Sequence, residues 1–152
     1  MMKFLKRFLT ILTDYYRIKI KDRLPRIVSS RETLTRYLLS TNLFSRVNNR
    51  VKPQAFMPPA DLKLSVFRTD KLSEFQIWKI GEKRVARKAK PPRNIHGRTD
   101  IKALKVMKTG LRIIPDNVPP RHANIVDWPD EKSERIEIAL ELAANASLKL
   151  RV

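Results

Sequence analysis

Leu62-Lys63-Leu64-Ser65-Val66-Phe67-Arg68-Thr69, LKLSVFRT, alternates apolar and polar positions with a period of two and carries β-branched and aromatic residues. The spacing predicts a half-buried strand with Leu62, Leu64 and Val66 on one side and Lys63 and Ser65 on the other. Continued to its end, the alternation sets Arg68 on the apolar side and turns Phe67 away. An arginine in that position is either a partnered edge residue or one that points into a cleft.

Toward the C-terminus, residues 70–88 read as a helix capped by Asp70 or Ser73. Leu72, Phe75, Ile77, Trp78, Ile80 and Val85 form its apolar side despite Gly81, and cations gather in its last turn. Residues 100–108 read as a short helix stopped by Gly110, with a hairpin over 101–114 as the alternative. Residues 111–114 read as a returning strand. GLRIIPDNVPPRHANIVDWP, residues 110–129, is a proline-stiffened loop that presents Arg121, His122 and Asn124. A last helix follows, opened by Asp127, with Ile136, Ala139, Leu140 and Ala143 on one face, widened by Ile138 and Leu142. Residues 148–152 form a final strand. Trp78 and Trp128 are assigned to the core or to hinges.

Toward the N-terminus, residues 34–39 are apolar enough for a short helix or a strand, and residues 48–59 read as an ordered loop. Residues 3–23 read as a basic amphipathic helix closed by Pro25, with Phe4, Leu5, Phe8, Leu9, Leu12, Tyr15 and Tyr16 along one side. Lys6 and Arg7 interrupt any secretory h-region, and Thr13-Asp14 interrupts any membrane span. The helix docks on the protein or a partner, is an extension without a role in the fold, or makes peripheral contact with an anionic membrane. Together these elements predict an α+β fold, a small mixed sheet with packed helices, built as an extension over 1–28 and one compact domain over 29–152. The expected location is cytoplasmic.

Charge narrows the class of partner. The chain carries 33 Lys/Arg against 15 Asp/Glu, a net charge of +18 over 152 residues. Residues 1–52 hold thirteen Lys/Arg against three acids, residues 53–110 fourteen against five, and residues 111–152 six against seven. Such asymmetry points to nucleic acid or another polyanion, with an acidic protein as the alternative partner. RVARKAKPPRNIHGR, residues 84–98, contains six Lys/Arg and no acid. Without an interleaved aromatic it suits phosphate contacts that tolerate any sequence. Lys83, Arg84, Arg87, Lys88, Lys90, Arg93 and Arg98 are its candidate contacts.

Cysteine is absent, and His96 and His122 are the two histidines, so neither thiolate chemistry nor a histidine-rich metal site is expected and no cofactor is called for. Walker, dinucleotide-binding, HExxH and nucleophile-elbow patterns are missing. The strings VKPQAFMPP (51–59), LSVFR (64–68) and PPRHANIVDWP (119–129), followed by ALELA (139–143), resemble those of a family of short bacterial proteins. That resemblance spans about residues 34–150 and implies a bacterial or phage context without attaching an activity or ligand.

Three functions compete. The first is an accessory protein that binds nucleic acid. The second is a small enzyme on a phosphate-bearing substrate, with His122 as acid or base, Arg121 and Arg68 holding the anion, Asn124 orienting it, and Asp116 or Asp127 completing the group. It requires Arg68 and His122 to face one cleft. The third is a docking or regulatory protein acting through the N-terminal helix.

Overall fold

A computed structural model describes residues 2–7, 9 and 24–152. Residues 2–7 and 9 are helical, with Phe4, Leu5 and Leu9 exposed; the remainder of the amphipathic helix read over 3–23 lies outside the described residues. No described helix is long and apolar enough to cross a membrane.

The fold is α+β. Six strands form one sheet: β1 (Thr33–Leu38), β4 (Leu64–Arg68), β5 (Gly97–Lys102), β6 (Arg112–Pro115), β7 (His122–Val126) and β8 (Ser147–Leu150). Their order is β6-β7-β4-β1-β5-β8, and every neighbouring pair is antiparallel, so the sheet is not mixed. A two-stranded ribbon, β2 (Phe44–Ser45) with β3 (Arg50–Val51), stands apart from it. Within residues 24–152 three α-helices complete the order: α1 (Glu74–Gly81), extended by a π-helical turn Glu82–Ala86, α2 (Ala103–Met107) and α3 (Lys132–Ala144).

Alternation gives the sheet two unlike faces. Leu34, Leu38, Leu64, Val66, Ile101, Ala123 and Ile125 line the first and close the main core with Phe56, Val106, Ala139 and Leu142. Tyr37 and Phe67 line the second and meet Ile77 and Ile80 of α1 in a smaller cluster. Over β1 and β5 the rest of the second face is polar. Thr35 hydrogen-bonds Thr69 at 2.6 Å and donates to Asp100 at 2.6 Å, and Arg98 stacks over Trp78 at 4.6 Å.

Several boundaries differ from the sequence reading for local reasons. The helix expected over 70–88 begins at Ser73, whose hydroxyl accepts from Gln76 N–H while the Gln76 side chain accepts from Ser73 N–H, a reciprocal cap. Gly81 sits where α1 meets β1: a Cβ there would lie 2.5 Å from the Tyr37 ring and 2.7 Å from Ile95. The 100–108 helix is a strand that turns into the short α2, since β5 pairs with β1 and β8 through Lys102 and Ser147. Asp127 has φ of 70° and pairs with Arg112, so Glu131 takes the N-cap of α3. The face of α3 that enters the core is Ala139 and Leu142 with Ile138 and Ala143; Ile136 and Leu140 are exposed.

Residues 25–28 already belong to the domain. Val28 is buried in the main core and the Pro25 carbonyl accepts from Arg68 at 2.7 Å.

Candidate functional site

The proline-rich stretch is a hairpin and not a continuous loop. Residues 122–126 are β7, paired with β6 on one side and β4 on the other, and only the turn Asp116–Arg121 is loop. In that register His122 lies opposite Phe67 and Asn124 opposite Ser65. His122, Ser65 and Phe67 therefore share the second face, with Ser65 diagonal to His122 and within side-chain reach.

These residues form a hydrogen-bonded chain. His122 Nε2 lies 2.8 Å from Ser65 Oγ, and His122 Nδ1 lies 2.6 Å from Asp116 Oδ1. Burial opposes ionisation of Asp116, but hydrogen bonds from His122, Val118 N–H and Asn124 outweigh it and hold the carboxyl below its ordinary value. An ionised Asp116 only accepts, so Nδ1 carries a proton, and in the neutral imidazole Nε2 is then the acceptor for the Ser65 hydroxyl. The imidazole is further fixed by the edge of Phe67, 5.4 Å away between centroids, and the backbone N–H of His122 donates to the Pro119 carbonyl. His122 is buried while Ser65 is exposed. A cleft of about 360 Å³ opens over the pair, lined also by Phe67, Arg84, Val85, Lys88 and Pro119.

Arg68 and Arg121 do not join this site. Arg68 is on the opposite face of the sheet, fully buried, and holds Glu32 through Nε–Oε1 at 2.8 Å and Nη2–Oε2 at 2.9 Å. Burial opposes ionisation of Glu32, yet the bonds from Arg68 and Ser29 N–H leave its carboxyl below the ordinary value. Arg121, at φ of 72°, turns a buried guanidinium onto the Arg68 carbonyl at 2.9 Å, while its own carbonyl accepts from Arg68 N–H at 2.8 Å. The two arginines brace the end of β4. Alternation explains the separation: a residue paired with Phe67 cannot share a face with Arg68.

The basic stretch divides in the same way. Lys83, Arg87, Lys88, Lys90 and Arg93 are exposed and make no ion pair with a described residue. Arg84 is half-buried and donates to the Pro120 carbonyl at 2.6 Å, tying the π-helical turn to the β6–β7 turn. Arg98 is not a surface cation. It is buried on β5, held by Glu74 at 2.8 and 2.9 Å and by Asp100 at 3.2 Å. Trp78 is half-buried between Arg98 and Arg151, a cation-covered indole and not a core residue, whereas Trp128 is enclosed with Nε1 donating to the Ile125 carbonyl at 3.0 Å.

A second cleft of about 430 Å³ on the other side of the turn is lined by Arg87, Arg93, Asn94 and Arg151 with Glu82. Among the described residues no group of three His, Cys, Asp or Glu side chains gathers as metal ligands. Sequence reasoning missed Ser65, whose signal was its place beside Phe67 on the polar side of the clearest strand. Comparison with protein-family models, with curated proteins and with solved structures finds no match to this chain.

Proposed function

We propose that the protein binds nucleic acid through the end of the π-helical turn and the loop that follows, with contacts mainly to phosphates. One observation carries the reading: Lys83, Arg87, Lys88, Lys90 and Arg93 are exposed in sequence succession with no carboxylate of the described residues neutralising them. Part of that charge suits the negative end of the helix, but Lys90 and Arg93 lie beyond the last turn, where the macrodipole no longer explains them. Net charge of +18 supplies a field of the same sign around them. No aromatic side chain stands among the five, so affinity comes from counterion release and little of it from base stacking.

Fluorescence anisotropy with labelled single- and double-stranded oligonucleotides of unrelated sequence, over a salt series, tests the proposal. Five phosphate contacts give a slope of log K against log salt of roughly −4 to −5 on duplex DNA. Replacing Lys83, Arg87, Lys88, Lys90 and Arg93 together by glutamine should flatten that slope toward zero without lowering Tm. An unchanged slope in the five-fold variant would remove this surface from the interface, and absence of binding by the wild type would refute the proposal. Arg84 and Arg98 are left intact because their side chains hold the fold.

A further inference from the structure

We infer that Ser65 is a nucleophile, activated by His122 and Asp116, for the cleavage of a phosphoric diester held in the cleft between β4 and the π-helical turn. The inference goes beyond nucleic-acid binding: it requires a cleft the size of one ester, and of the five exposed cations it shares only Lys88.

Three observations converge. First, the order of partners is that of an activated hydroxyl: carboxylate to Nδ1 at 2.6 Å, Nε2 to hydroxyl at 2.8 Å. Second, the chain is asymmetric in exposure. The base is enclosed and fixed by Phe67 and the hairpin, while the hydroxyl faces open space. Third, the cleft wall around that hydroxyl carries Arg84 and Lys88. Paired cations compensate the non-bridging oxygens of a phosphoryl group, whose charge they stabilise through the transition state. Phe67, Val85 and Pro119 supply an apolar wall for the leaving group.

The chemistry balances without a further reactant except water. Ser65 Oγ attacks phosphorus as its proton passes to His122 Nε2; the Oγ–P bond forms, the P–O bond to the leaving alcohol breaks, and Nε2 returns the proton to that oxygen. Water then attacks phosphorus, giving a proton to Nε2, and the Oγ–P bond breaks as Ser65 recovers it. The products are one alcohol and one phosphate monoester. Asp116 is a positioning residue that fixes the tautomer and stabilises the imidazolium.

Two measurements on the full-length protein test this. A fluorophosphonate probe followed by peptide mass spectrometry should modify Ser65 in preference to other exposed serines such as Ser29. Bis(p-nitrophenyl) phosphate should be hydrolysed with Ser65→Ala inactive and Asp116→Asn slowed roughly 10²- to 10⁴-fold, both retaining the wild-type circular dichroism spectrum. Lys88→Gln should lower kcat/KM for the diester and slow fluorophosphonate labelling of Ser65, because the cation faces the phosphoryl oxygens of both. His122→Ala removes a buried ring packed on Phe67, so Asp116→Asn, on an exposed carboxylate, is the variant that keeps the test decisive should the former unfold. Labelling of Ser65 no faster than of Ser29, or labelling unaffected by Asp116→Asn, would overturn the nucleophile. Turnover of p-nitrophenyl acetate with none of the diester would overturn the phosphate assignment.

Discussion

Glu32→Gln should destabilise the protein by about 3–5 kcal/mol, the cost of leaving a buried charge without its counter-ion. Arg68 has 0 % of its side chain exposed and Glu32 only 12 %, so water cannot replace the carboxylate around the guanidinium. Two charge-assisted bonds, at 2.8 and 2.9 Å, are made to that one carboxylate, and the Pro25 carbonyl at 2.7 Å cannot neutralise the charge by itself. Glutamine keeps the shape and one acceptor, which places the expectation nearer the lower end. For a chain of this length the loss corresponds to a fall in Tm of roughly 6–20 °C. Urea unfolding followed by the fluorescence of buried Trp128 measures it. Arg68→Met combined with Glu32→Gln should cost much less than the sum of the single changes, because both charges leave together. The sign with pH is fixed: the folded carboxyl lies below its ordinary 4.5, so its stabilisation is complete above that value and disappears as pH falls through the folded value. The Glu32→Gln deficit should therefore narrow in acid. A deficit under 1 kcal/mol at neutral pH, or strict additivity in the double variant, would refute the reasoning. Arg68→Met should leave the salt slope of nucleic-acid binding unchanged, since Arg68 faces no ligand.

Other outcomes follow from single contacts. Trp128→Ala should cost about 3–5 kcal/mol by chemical denaturation, because an enclosed indole and its bond to Ile125 are both lost. Gly81→Ala should cost about 1–3 kcal/mol, since the new methyl meets a Tyr37 ring whose hydroxyl is anchored on the Ile77 carbonyl. Glu74 is drawn down to about 2 by hydrogen bonds from Arg98 and Lys149, so its contribution is full above pH 4.5 and is lost as pH falls toward 2; the difference in Tm between wild type and Glu74→Gln should shrink over that interval.

Strands are legible where alternation is strict and both flanks are punctuated. That holds for residues 62–69, 111–114 and 148–152, which correspond to β4, β6 and β8. It fails for β5 and β7. Thr99, Arg98 and Asp100 look like a helix start because their partners, Glu74 and Thr35, are distant in sequence. Residues 122–126, HANIV, are masked by the prolines before them, which stiffen the turn and leave the strand to be specified by β4 and β6 on either side.

By itself the sequence determined the alternation of β4, the opposite facing of Phe67 and Arg68, the asymmetric charge, and the presence of His122 and Asp116 as titratable groups close along the chain. These are local properties, set by the period of a strand and by composition. Which cations are free and which are buried was decided only by the tertiary structure. Arg98 and Arg93 read alike in one basic run, yet one is held by Glu74 and the other faces solvent. The same is true of the site. Ser65 reaches His122 across 57 positions because antiparallel pairing of β4 with β7 puts diagonal neighbours on one face, and no pattern within either segment encodes that register.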